Sequence, residues 1–222
     1  LGTSHCGRLL FRITVIGKGT HAAVRDHGVS AIEKASILHE AIQKLESERN
    51  RGRRPAEFRH LRTWLAVNLG RIEGGTKATM VPERAGLEGR IGFPPGEAAD
   101  HAKAALQRSI RRASARDKWL AKHPPMLEWF GVPSGPGKLR APSIAAFLRA
   151  CGRPVLRRPL AVRGMPYGSD MRLFTEVARR PAVLFGPGDI AETHAIDEWV
   201  PKAEVLAAAK FLALAALRDA QR

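Results

Sequence analysis

The chain has 222 residues, 44% hydrophobic and 26% charged, which is enough for one large domain or two small ones around a buried core. Its 37 Lys and Arg against 21 Asp and Glu leave a formal net charge of +16, but no RRM, KH, helix-turn-helix or zinc-finger signature accompanies that charge and aromatics for base stacking are few, so specific nucleic-acid binding is set aside. No apolar run reaches the length a membrane helix needs, and Cys6 and Cys151 stand far apart with no framework spacing, which points to a reducing, cytoplasmic setting.

In "GRLLFRITVIGKG", Leu9, Phe11, Ile13 and Val15 alternate with Leu10, Arg12 and Thr14, the pattern of a strand with one buried face. A helix follows in "SAIEKASILHEAIQKLE", with Ile32, Ala35, Leu38, Ile42 and Leu45 at helical spacing and Ser30 placed as its N-cap. The arginine-dense "SERNRGRRPAEFRHLR" reads as a solvated loop. "RTWLAVNLGRIEGG" and "RAGLEGRIGF" return to alternation, with Ala85, Leu87, Ile91 and Phe93 on one face, and Pro94-Pro95-Gly96 ends the second of these strands. "EAADHAKAALQRSIRRA" is a second amphipathic helix and "MLEWFGV" a fourth strand. The order β-α-β-β-α-β over residues 6–132 predicts a split βαβ arrangement, a small α+β sandwich.

Beyond it, "PSGPGKLRAP" is a connecting loop. A helix at "SIAAFLRACG", a loop ending in "GMPYGSD", a helix at "DMRLFTEVA", a buried strand "PAVLF" and a last helix starting at Pro201 are expected in turn. Residues 133–222 therefore read as the C-terminal part of an α/β domain whose N-terminal part is absent.

Two histidines stand out. His194 follows an apolar segment and a Gly-Pro-Gly turn; an isolated histidine there is ordinarily a capped surface residue, yet the edge of an α/β sheet is also where such folds place their sites. Asp197 and Glu198 are close by and serve equally well as acids at the start of the last helix. His21, after Gly17-Lys18-Gly19, reads from spacing alone as a cap on the following segment.

The stretches "GKGTHAA", "NLGRIEGGTKATMVPERAGLEGRIGFPPGE", "YGSDMRLF" and "LFGPGDIAETHAIDEWV" occur in the order seen in a family of zinc-dependent metallohydrolases that includes acetylornithine deacetylase, succinyl-diaminopimelate desuccinylase, aminoacylase and carboxypeptidase-type members. The chain resembles this family over essentially its whole length. The resemblance implies an α/β catalytic domain holding two divalent metal ions, zinc with cobalt as an alternative, interrupted by a dimerisation (lid) domain through which a homodimer forms. It implies that His194 is a metal ligand, that His21 reaches the active site of the partner subunit, and that Gly168, Ser169 and Asp170 line the pocket for a small N-acyl amino acid or peptide. Two departures bear on the substrate: Thr79 stands in "GGTKATMVP" where family members often carry Asn before "VP", and Arg90-Ile91-Gly92 replaces a frequent Asp-x-Arg.

The family's remaining site residues come from a His-x-Asp motif, a second Asp and a Glu-Glu pair. Neither motif occurs here, and one histidine cannot hold a catalytic zinc, which takes three protein ligands plus water. Two readings follow: the lid and C-terminal portion of a metal-dependent amidohydrolase, inactive alone, or a non-catalytic dimerisation module that has lost the metal site.

Overall fold

The computed structural model describes residues 1–156 and 158–221. In chain order its strands are β1 (Gly2–His5), β2 (Gly7–Ile16), β3 (Thr20–His21), β4 (Val67–Gly74), β5 (Met80–Val81), β6 (Arg84–Phe93), β7 (Met126–Ser134), β8 (Gly137–Lys138) and β9 (Arg163–Met165). Its helices are α1 (Ala31–Asn50), α2 (Ala99–Ser114), α3 (Lys118–Lys122), α4 (Pro142–Gly152) and α5 (Lys202–Ala220). This mixed α/β chain divides into two units, His5–Pro136 with Met165–Ser169, and Leu1–Ser4 with Gly137–Gly164 and Asp170–Arg222.

The first unit is built on an antiparallel sheet of order β4-β6-β2-β7. Side chains alternate across a strand, so Leu9, Phe11, Ile13 and Val15 of β2 and Ala85, Leu87, Ile91 and Phe93 of β6 share one face, and all are buried. Helices α1 and α2 cover that face. Ala35, Leu38, Ile42 and Leu45 from α1 and Ala102, Leu106 and Ile110 from α2 complete a single core, with Trp129 edge-on to Phe11 at 6.2 Å. The start of α1 is capped by Ser30, whose Oγ accepts from the Glu33 amide at 3.3 Å. The opposite face of the sheet has no helix from this unit and is polar in sequence. Edge strand β7 carries Pro133, whose missing N–H an edge tolerates, and Gly131 at φ +67°, where the register against β2 shifts.

The arginine-dense loop is more ordered than a solvated run. Asn50 Oδ1 accepts from the amides of Trp64 and Leu65, Arg49 pairs with Glu97, and Phe58, Trp64, Leu65 and Cys6 form a small second core.

In the second unit, α4 and α5 pack around Cys151, Phe211 and Ala215, and a small sheet runs in the order β8-β1-β9. Two expectations are corrected here, and a third is met with a change of winding. "PAVLF" is half-buried, with Phe185 against Phe211, but it is not a strand: only Leu184 pairs, in one bridge to Gly2, and a lone bridge does not fix extended backbone on either side. "DMRLFTEVA" is helical as expected over residues 171–177, but it widens from Leu173 into the turn Leu173–Val177 closed by Ala178 N–H to Leu173 O, and it stops before Arg179, whose φ of +54° cannot continue a right-handed helix. The last helix begins at Lys202, with Pro201 as its N-cap rather than its first helical residue, a one-residue difference at a helix boundary. Among the described residues no helix is long and apolar enough to cross a membrane.

Candidate functional site

His21 is presented by a loop held at both ends. Lys18 and Val29 exchange backbone hydrogen bonds at 2.8 and 2.9 Å, and β3 pairs with β5 so that His21 lies opposite Met80. Gly28 closes the loop because a Cβ there would stand 2.6 Å from Thr20 Cγ2 and 2.9 Å from Lys18 O. His21 is the N-cap of the turn Ala22–His27: its Nδ1 accepts from the Ala23 amide at 3.1 Å. The capping role read from spacing is therefore real, and it has a chemical consequence. A backbone amide can only donate, so Nδ1 must accept, and the neutral ring carries its proton on Nε2. His21 is thus an exposed imidazole held in the tautomer that offers a donor.

The segment that departs from the family pattern runs alongside. Thr79 O accepts from the Ala22 amide at 2.9 Å, so this residue meets the His21 turn through its backbone. Below Met80 and Val81 a cleft of 540 Å³ opens onto the polar face of the sheet, lined in part by Arg12, Arg71, Glu73 and Glu88. Arg12 pairs with Glu88 at 2.7 Å and Arg71 with Glu73 at 2.5 Å. Those four charges neutralise one another.

His194 lies in the second unit on a loop where three carboxylates each accept from a backbone amide through one oxygen. Glu198 Oε2 accepts from the His194 amide at 2.9 Å, Asp189 Oδ1 from Ala191 at 3.0 Å, and Glu204, in the first turn of α5, from Gly188 at 2.9 Å. His194 itself has φ +68°, a left-handed backbone that costs a non-glycine residue free energy and is retained when its surroundings impose it. Its side chain is exposed, and Asp197 is exposed beside it. Among the described residues no group of three His, Cys, Asp or Glu side chains is close enough to hold a metal ion.

Gly168 belongs to the first unit and packs close to β7, where a Cβ would stand 2.8 Å from Ser134 Oγ and displace that hydroxyl. Asp170 begins the wide turn of the second unit, its carbonyl accepting from Leu173 at 2.8 Å. Trp119 is not singled out from the sequence: one aromatic on a short helix reads as packing, and only the strand register shows what faces it.

Residues 3–118, more than half of the chain, match the peptidase dimerisation domain. The chain belongs to this family. It is 30% identical over 197 residues to N-acetyl-L-citrulline deacetylase of Xanthomonas campestris pv. campestris, covering 85% of this chain and 48% of that protein. It is 26% identical over 215 residues to acetylornithine deacetylase of Myxococcus xanthus, covering 94% and 52%. Among solved structures, a hydantoinase/carbamoylase-family amidase from Burkholderia vietnamiensis shares the fold with a TM-score of 0.71 at 17% identity, over 97% of this chain and 48% of that one. The chain spans about half the length of the curated relatives it matches.

Proposed function

We propose that this peptidase dimerisation-domain chain is the lid and C-terminal portion of a homodimeric, metal-dependent amidohydrolase that cleaves the amide bond of N-acyl amino acids or small peptides. Residues 6–132 form the lid, a βαββαβ sandwich, and residues 133–222 the C-terminal part of the catalytic domain. The observation that carries the reading is the state of His21. A capping hydrogen bond to Nδ1 leaves its Nε2–H as the donor, which is what a residue needs in order to stabilise negative charge growing on a scissile carbonyl oxygen. Donation into the partner subunit's site is the role that family membership suggests for a histidine at this place in the lid.

The described residues do not by themselves compose a metal site. His194 is one imidazole, and no two further His, Cys, Asp or Glu side chains among the described residues stand close enough to complete a site with it. Zinc, with cobalt as the alternative, enters through the family relationship, with His194 as one of several donors. Gly168, Ser169 and Asp170 are the proposed pocket lining.

Mixing variants tests the arrangement. In the complete enzyme, His21→Ala and His194→Ala each remove a different part of the same composite site, contributed by different subunits. Exchanging subunits between the two inactive proteins creates mixed dimers with one intact site and one doubly defective one. Activity should reappear on mixing. Confirmed exchange without recovered hydrolysis of N-acyl amino acids refutes the trans role of His21.

A further inference from the structure

The four-stranded sheet lacks a rung where the His21 loop leaves it. Strands β2 and β7 run antiparallel, with Ile13 opposite Leu127 and Thr14 opposite Met126. The same register carried two residues further sets Ile16 against Pro124, which has no N–H to give. Gly17 turns its own N–H the other way, onto Glu83 O at 2.8 Å. The Ile16 carbonyl on the β7 side is met instead by a side chain. Trp119, on α3, donates its indole Nε1–H to Ile16 O at 2.8 Å, in place of the strand donor that proline removes.

The indole is itself held. Asp117 accepts from the Trp119 and Leu120 amides and pairs with Lys34 of α1 at 2.7 Å, and Leu120 is wholly buried in the core of the first unit. His123 stacks on the indole, ring centroids 3.9 Å apart and planes 18° from parallel. Its Nδ1 lies 3.2 Å from Trp119 O, and since a carbonyl only accepts, that nitrogen donates and fixes the second ring.

The opposite side of the loop root is closed by backbone. Lys18 and Val29 exchange hydrogen bonds, and Ala31 donates to Pro82 O at 2.8 Å. A Cβ on Gly17 would stand 2.2 Å from Val29 O and 2.8 Å from Ala31 N, so the two ends of the loop meet at a glycine with no room for a side chain. From Ile16 the chain reaches His21 in five residues. Along them Lys18 is bridged, Thr20 and His21 pair with β5, and Ala22 donates to Thr79 O. A loop cross-tied in this way moves as a unit, and its place on the sheet is set where the chain enters and leaves it. A donor lost at Ile16 therefore loosens the whole unit that carries the imidazole.

We infer that Trp119 is a positioning residue for His21: its indole supplies the rung that β7 lacks and so fixes the root of the loop that aims the Nε2–H. Its effect on turnover rests on the function proposed above, whereas its effect on the loop does not.

The test begins with NMR on the 222-residue chain. Trp119→Phe keeps an aromatic ring beside His123 and removes the N–H. Replacing Trp119 with benzothienylalanine, in which sulfur stands for the N–H, removes the donor at nearly constant shape. In both, amide exchange at Gly17, Lys18, Ala22 and Val29 should quicken by roughly three- to tenfold, the effect of one lost hydrogen bond on local opening. The His21 ring nitrogens should also move from a single tautomer, with the proton on Nε2, toward the mixture of a free imidazole. Ile42→Val trims the buried core without touching the loop, so it should lower Tm and leave those signals unmoved. The benzothienyl protein decides the matter if Trp119→Phe does not fold. Unchanged exchange with an unchanged His21 tautomer, or the same changes in Ile42→Val, overturns the assignment. In the complete enzyme, Trp119→Phe should lower kcat more than it raises KM, and should have no further effect on kcat in a His21→Ala background. If His21→Ala keeps full turnover, the proposed function falls while the loop measurements still establish the positioning. If His21→Ala is inactive and Trp119→Phe moves neither the loop nor kcat, the positioning falls alone.

Discussion

His21 carries two roles on one ring, and two substitutions separate them. His21→Ala removes both the acceptor that caps the Ala22–His27 turn and the Nε2 donor. Loss of an N-cap acceptor costs about 0.5–2 kcal/mol, and the low end applies to this exposed, short turn. His21→Asn keeps an acceptor at the right distance, since asparagine is among the best N-cap residues, but its amide cannot reach where the imidazole Nε2–H does. In the complete enzyme both variants should lose about 10²–10³-fold in turnover, the loss typical of one oxyanion donor. Only His21→Ala should also lower the stability of the lid, by roughly a few degrees in Tm at this domain size. Steady-state kinetics on an N-acyl amino acid, with calorimetry on the same samples, reads both effects. If His21→Asn turns over like the natural enzyme, the histidine is a cap and nothing more, and the reasoning from its tautomer is refuted.

Two further outcomes follow from the titrating groups. Asp117 caps α3 through the Trp119 and Leu120 amides at 3.0 and 2.9 Å and pairs with Lys34 at 2.7 Å. Burial alone would raise its carboxyl, but the Lys34 hydrogen bond and charge together with the two amides outweigh that and hold it below its ordinary value. A lowered carboxylate contributes stability above its unfolded pKa of about 3.9 and loses it as pH falls through the folded value. Asp117→Ala should therefore cost about 1 kcal/mol or more at neutral pH in urea unfolding, with the gap from the natural protein closing below about pH 4; a constant gap into strong acid refutes the linkage. Burial pushes the Cys6 thiol up to about 12, so the native chain should resist alkylation at Cys6 near neutral pH until it unfolds, as mass spectrometry of the modified peptide would show. Rapid labelling of Cys6 in the folded protein contradicts this.

Much of the first unit is legible in the residues themselves. Alternation at Leu9, Phe11, Ile13 and Val15 marks the buried face of β2, and Ser30 followed three places later by Glu33 marks the start of α1, because period and capping depend on neighbours a few residues apart. The second unit is less legible for the same reason. "PAVLF" has the composition of a strand, but strand formation needs pairing partners, and the structure supplies one bridge to Gly2; "DMRLFTEVA" has helical spacing and is helical, but its widened winding from Leu173 is not encoded in that spacing.

The candidate site divides along the same line. Sequence alone determined which side chains have suitable chemistry, His21 and His194 among them, and that Gly17-Lys18-Gly19 and Gly186-Pro187-Gly188 put them on loops. The structure supplied the atoms: the Ala23 amide occupies His21 Nδ1, as the spacing suggested, and Glu204 reaches back from α5 to the Gly188 amide. It also decided that Arg8 faces Gly92 while Arg12 faces Glu88. Arg8 and Arg12 are the same residue type on the same face of one strand. What separates a neutralised charge from an unspent one is the register of β2 against β6, set by closing a chain of intervening residues into one core, and no local property of either arginine encodes it.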